Sequence, residues 1–321
     1  MYRLALPRLG GGGLFCWERA RRYLELHEPP DFLFIPDASW PVVCGEKGFY
    51  NAEVSFPVQD GGRILSIEGG TVRNAVCARA TAVVRAERGE LCPDGRIEVE
   101  GLGDGRLLLR ATGIGGHAAM PQGMLSALGV LCRCLLASGV CNQAERRWLR
   151  LQTMIHDMWD GSALGVDATD DVFDPLTIIS GTMRMEAGHF VQTMDARYPK
   201  STTPDRLGER LRAICEEHGA RFVETHRGGC LYVDPSRPEL RALLESYAEW
   251  TGQEPHAVTM GGGTYAKRFP LAVAFGPENG PDDVGLPDWV GPIHGPNEAV
   301  RETSLRRALA IYISALGRLL G

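Results

Sequence analysis

The sequence predicts an α/β body made from two chain segments, with an α+β module inserted between them. Three observations lead there. The hydrophobic pattern is mixed up to Gly48, alternates in the β manner from Phe49, and returns to α/β texture after Gly228-Gly229. The chain has 321 residues, room for two domains of roughly 100–200 residues each. At 44% hydrophobic and 23% charged, its composition excludes a disordered, collagen-like or disulfide-stapled chain. The expected boundaries are residues 1–48 and 231–321 for the body and 49–230 for the insertion.

The elements follow in order. A short helix is expected from Glu18 to Leu26, closed by Pro29-Pro30, then an apolar strand from Phe32 to Ile35. Ala52, Val54 and Phe56 alternate with polar residues, and Gly61-Gly62 and Gly69-Gly70 supply turns in a β region reaching about Leu109. Apolar positions 124, 128, 131 and 135 mark one face of a helix from Met124 to about Leu136. Leu207, Leu211, Ile214 and His218 repeat that spacing, and Gly219 ends it. Ser236 with Glu239 reads as a capping box opening a helix that buries Leu240, Leu243, Leu244 and Tyr247. Leu271 to Phe275 is a buried type of strand, and the last helix is expected to pack through Leu305, Leu309, Tyr312, Leu316 and Leu320.

Composition also limits function. Lys plus Arg number 34 against 40 Asp plus Glu, so the net charge is −6 and the basic footprint of a nucleic-acid binder is missing. No apolar run approaches the ~18 residues of a membrane helix, and Met1 to Trp17 lacks the apolar core of a signal peptide. Nine cysteines occur without a C-x-x-C pair. Cys132, Cys134 and Cys141 are expected as buried reduced thiols rather than a zinc knuckle, which suits the cytoplasm. Gly10 to Gly13 is no phosphate loop, since no Lys-Ser/Thr follows.

The candidate chemistry lies beside turns. Asp37 follows a strand and Pro36, placed either as a metal ligand or as a turn cap. His294, between Gly291-Pro292 and Gly295-Pro296, is either a ligand or a surface histidine. His117 closes Gly113-Ile114-Gly115-Gly116-His117 and can serve as an oxyanion donor or be an idle loop residue. Gly261, Gly262 and Gly263 offer bare amides to an anion, or simply form a flexible turn. Arg197, in Asp195-Ala196-Arg197-Tyr198-Pro199, either clamps a carboxylate or faces water.

Together these segments resemble a known family. Phe34-Ile35-Pro36-Asp37-Ala38-Ser39-Trp40-Pro41-Val42 with Gly45-Glu46-Lys47-Gly48 is similar to the "TPDAxFPVxxGEKG" signature of the PepV/Sapep-like di-zinc dipeptidases. These form a branch of the metallopeptidase clan of carnosinases, aminoacylases and glutamate carboxypeptidases. Gly69-Gly70 with Asn74, Gly116-His117-Ala118, Ala196-Arg197-Tyr198-Pro199, Gly261-Gly262-Gly263-Thr264-Tyr265-Ala266 and His294 then fall in the family's order. The resemblance covers the chain from about Arg19 onward. It implies a body domain with a mixed sheet flanked by helices, incomplete at its front, and an inserted α+β lid. It also implies two zinc or manganese ions and the hydrolysis of dipeptides by a water activated between them. Asp37 would ligate one metal and His294 the other, and His117 would be the lid histidine. Asn74, Arg197 and Gly261, Gly262 and Gly263 would hold the dipeptide.

The match has a gap. The family carries an H-x-D motif, a bridging Asp and a Glu-Glu pair ahead of the aspartate matching Asp37. None of the eight histidines here has Asp two residues on, and Arg8-Leu9-Gly10-Gly11-Gly12-Gly13 stands where the Glu-Glu pair is expected. The expectation is a family member that has lost its front, with weak metal binding and no turnover on its own. The other reading is a non-catalytic peptide-binding module on the same fold. The branch is mostly monomeric, but apolar faces left open by the gap favour association, so the oligomeric state stays open.

Overall fold

A computed structural model describes residues 13–92, 94–287, 289–291 and 297–321, with side chains from Glu18 onward. Six helices are present among them: α1 (Gly13–Leu26), α2 (Ala127–Ser138), α3 (Gln143–Asp157), α4 (Pro204–Glu217), α5 (Pro238–Thr251) and α6 (Glu302–Leu320). None of the described helices is long and apolar enough to cross a membrane. The chain divides into two compact units, one holding the described residues up to Lys47 with Cys230–Gly321, the other Gly48–Gly229.

The first unit is built on a five-stranded mixed sheet. Leu33–Ile35 runs parallel to Ala272–Ala274, and Val42–Glu46 runs parallel to Ala257–Met260 and antiparallel to Leu231–Tyr232. Strand residues alternate faces, so the two sides acquire separate cores. Val42, Cys44, Val273 and Phe275 meet Leu240, Leu243 and Tyr247 of α5 and Ala308, Ile311 and Ala315 of α6. On the other face Ile35 and Ala272 pack on Ala20 and Tyr23 of α1. Trp40 and Phe275, edge to face at 4.7 Å, seal the α5/α6 side.

Two sequence expectations change here. Arg237, not Ser236, precedes the first turn of α5, and its side chain makes no cap. Pro238 opens that turn without an N–H to satisfy, so Glu239 is released to pair with Arg237 while Ser236 N donates to Asp234. Helix α6 packs through Ser304, Ala308, Ile311 and Ala315, with Tyr312 against the same core as expected. Leu305, Leu309 and Leu320 point to solvent, Leu309 with 61% of its surface exposed. Small side chains admit a close α5–α6 approach, shown by the Ser314–Ser246 hydroxyl contact at 3.4 Å, and that outweighs the larger leucines.

The second unit is a nine-stranded antiparallel sheet with three helices. Gly48–Pro57 lies between Arg221–Gly228 and His189–Tyr198, and Thr177–Ile179 also pairs with the latter. The expected alternation is present: Ala52, Val54 and Phe56 are buried. Phe56 and Phe190 sit opposite each other across the strands, and Trp148 of α3 stacks on both, at 5.4 and 4.8 Å. Helix α3 starts on a reciprocal Asn142–Glu145 box, and buried Glu145 also accepts from Ile64 N, tying the helix start to the sheet. Cys132, Cys134 and Cys141 are buried free thiols on or beside α2.

Candidate functional site

In the first unit the candidate groups stand at carboxyl ends of parallel strands, where open α/β sheets gather ligands. Asp37 is exposed in the turn after Leu33–Ile35. His294 lies outside the described residues. Among the described residues no three His, Cys, Asp or Glu side chains lie together as a metal would require. The described residues alone therefore do not make a metal site.

The glycine loop is better defined. Gly261, Gly262 and Gly263 follow the strand Ala257–Met260, whose end is fixed by Lys47 N donating to Met260 O at 3.0 Å. The loop's far end is tied by Glu46. Thr264 N donates to Glu46 Oε2 at 3.0 Å and Thr264 Oγ1 donates to Oε1 at 2.6 Å. Glu46 is wholly buried at the end of its strand. Burial pushes its carboxyl up, against the Thr264 hydrogen bonds and the Lys267 cation, which favour the charged form. Lys267 Nζ in turn donates to Lys47 O. A Cβ on Gly263 would sit 3.3 Å from Lys267 and 3.6 Å from Glu46, so the loop backbone lies close to both side chains. Sequence reasoning quoted Glu46 within the signature and gave it no role. A carboxylate closing an otherwise apolar strand was the available signal.

In the second unit the structure brings Asn74 and His117 together. Gly116–His117 pairs with Ala75–Val76, placing His117 opposite Ala75, and Ala118 N donates to Asn74 O at 2.9 Å. His117 is exposed, and its Nδ1 accepts from Ala119 N at 3.1 Å. In the neutral ring the proton therefore sits on Nε2, the arrangement of a hydrogen-bond donor. Close backbone approach explains the glycines around it: a Cβ on Gly113 would strike Leu125 O, and one on Gly181 would strike Arg73 O.

Arg197 does not face water. It lies near the end of His189–Tyr198 with its side chain 15% exposed, and it is gripped by Asp195, which is 1% exposed. Arg197 Nε and Nη2 donate to the two carboxylate oxygens at 2.6 and 3.0 Å, and Asn51 Nδ2 donates to Asp195 Oδ2 at 2.9 Å from the opposite strand. Nη1 remains for a further acceptor. Asp195 and Asn51 were missed from sequence; the signal was a carboxylate two residues before an arginine on a strand, hence on the same face.

No family model matches the chain. Among curated proteins it is similar to the β-Ala-Xaa dipeptidase of Lactobacillus delbrueckii subsp. lactis, 30% identical over 94% of this chain and 65% of that protein. YtjP of Bacillus subtilis (strain 168), whose name places it among the dipeptidases, is 25% identical over 94% of this chain and 66% of its own length. Among solved structures, a dipeptidase from Saccharomyces cerevisiae aligns over 95% of this chain and 62% of its own with 11% identity and a TM-score of 0.46. The chain thus spans just under two thirds of the length of the curated relatives it matches. The curated relatives of this chain are thus dipeptidases, in line with its ordered signatures.

Proposed function

We propose that this chain is the substrate-recognising part of a metal-dependent dipeptidase, which holds a dipeptide by its free carboxylate and does not hydrolyse it alone. The observation that carries the reading is the Asp195–Arg197 pair. A guanidinium oriented by a buried carboxylate keeps its remaining donors fixed for a second one. In the other unit the amides of Gly261, Gly262 and Gly263, fastened by Glu46 through Thr264, are a second anion-receiving group. Asn74 and His117 Nε2 are the polar donors for the peptide carbonyl. In the family two zinc or manganese ions supply the activated water. This sequence offers them Asp37 and His294 and contains no H-x-D motif, so hydrolysis needs ligands from beyond these residues. Free thiols at all eight described cysteines suit a cytoplasmic setting.

The test is a calorimetric titration of the chain with a β-alanyl dipeptide and with the same dipeptide amidated at its C-terminus. Binding should require the free carboxylate and weaken ~10–100-fold in Arg197→Ala, the size of one lost charged hydrogen bond of about 1.5–3 kcal/mol. Equal binding of acid and amide would overturn the proposal.

A further inference from the structure

Below the loop that follows His117, the second unit has a small pocket of about 30 Å³. Pro121, Met124 and Trp159 form part of its apolar wall, while Ser126, His156 and Ser180 bring polar side chains to it. Two of those groups lack partners. His156 Nε2 and Ser180 Oγ are sealed from solvent with no hydrogen bond to any described protein group, and Ser180 is 2% exposed. Ser126 Oγ is engaged as the cap of α2, accepting from Gly129 N at 3.4 Å. The two observations are independent: one is a small pocket, the other a pair of buried atoms left unsatisfied in its wall.

We infer that this cavity is an internal water-binding site, in which one ordered water bridges His156 Nε2 and Ser180 Oγ behind the His117 loop. The volume exceeds the roughly 10–15 Å³ that a single water needs, and two to four polar partners are the usual complement. The chemistry selects water over an ion. No carboxylate lines the cavity, and the Arg133 guanidinium lies close to His156, so a cation is disfavoured. Burial and Arg133 hold the His156 ring neutral, pulling its pKa down to about 3, so Nε2 either donates or accepts one hydrogen bond and the ring has no charge for an anion. Water can pair with Nε2 in either tautomer and exchange a second hydrogen bond with the serine hydroxyl. A purely apolar guest would leave both atoms unpaired.

A high-resolution crystal structure of the whole chain, with and without xenon pressure, tests this directly. The expected result is one density peak within hydrogen-bond reach of His156 Nε2 and Ser180 Oγ, unchanged under xenon. An empty cavity, xenon inside it, or a direct His156–Ser180 bond would overturn the inference. In solution, oxygen-17 relaxation dispersion counts long-lived internal waters. His156→Phe, which fills the volume, and Ser180→Ala, which keeps it but removes one partner, should each lower that count by one. An unchanged count in the folded variants would also overturn it.

Discussion

Asp195 is what makes Arg197 a fixed cation rather than a mobile surface one. Both ends of the pair are largely out of water, so removing the acid leaves a half-buried guanidinium without its counter-charge. Asp195→Ala should cost about 3 kcal/mol in urea unfolding, at the lower end for a broken buried pair. Arg184 bridges Glu53 and Glu186 with all three side chains well exposed, and Arg184→Ala should stay below about 1 kcal/mol. His156 gives a pH signature at the same scale. Burial, then the Arg133 cation on α2, which itself pairs with Asp157, holds its ring down to about 3. The unfolded chain takes up that proton near pH 6.5, while the folded chain stays neutral until about pH 3. The stabilisation is therefore complete above about pH 6.5 and is lost as pH falls towards 3, by about 1.4 kcal/mol per pH unit at most. Unfolding free energies from urea melts at pH 7 and pH 5 should differ by about 2 kcal/mol more in the wild type than in His156→Gln. Equal differences would show that His156 is not the group responsible. The sequence named Arg197 and His117 because each sits in an ordered motif. It did not name Glu46, Asp195 or Asn51, whose importance comes from burial and from partners 218 and 144 positions away, as with Glu46–Thr264 and Asn51–Asp195.

At the scale of elements, legibility depended on what fixes each one. Helices α2 and α4 were readable because their large apolar residues are the ones buried. The α6 helix was readable as a helix and its face only in part: Tyr312 packs as expected, but Leu305, Leu309 and Leu320 yield to Ser304, Ala308, Ile311 and Ala315, since hydrophobicity alone does not weigh closeness of approach. The glycines of the His117 platform show the same thing in the backbone. Gly113 lies against Leu125 O and Ala127 N, which are backbone atoms and cannot rotate away. Gly113→Ala should therefore cost about 2 kcal/mol or more, within the range for forced repacking. Gly229 meets nothing within 4 Å, and Gly229→Ala should lie within about 0.5 kcal/mol of the parent. Thermal unfolding of the two variants side by side measures the contrast. Amide shifts at Ala118 and Ala119 should move in the first variant and hold in the second.

For the molecule as a whole, kinship and residue inventory point in different directions. The curated relatives are dipeptidases. The inventory lacks the H-x-D element, and no three potential ligands converge among the described residues. Catalysis depends on the inventory. A catalytic zinc ordinarily has three protein ligands, and a missing general base alone removes ~10²–10⁴-fold of rate. Without the metal centre, the nucleophilic water is not activated either. Groups that receive a carboxylate do not replace these terms, because they hold the ground state and the transition state alike. The 321-residue chain with excess zinc or manganese should therefore release no amino acid from a dipeptide above a buffer blank, while still binding it through Arg197. Fusion to a relative's segment carrying the H-x-D and Glu-Glu elements should confer metal-dependent hydrolysis. His294→Ala in that fusion should abolish hydrolysis and leave carboxylate-dependent binding in place. Metal-dependent turnover by the unfused chain, lost in Asp37→Ala, would instead show that its own residues complete the centre.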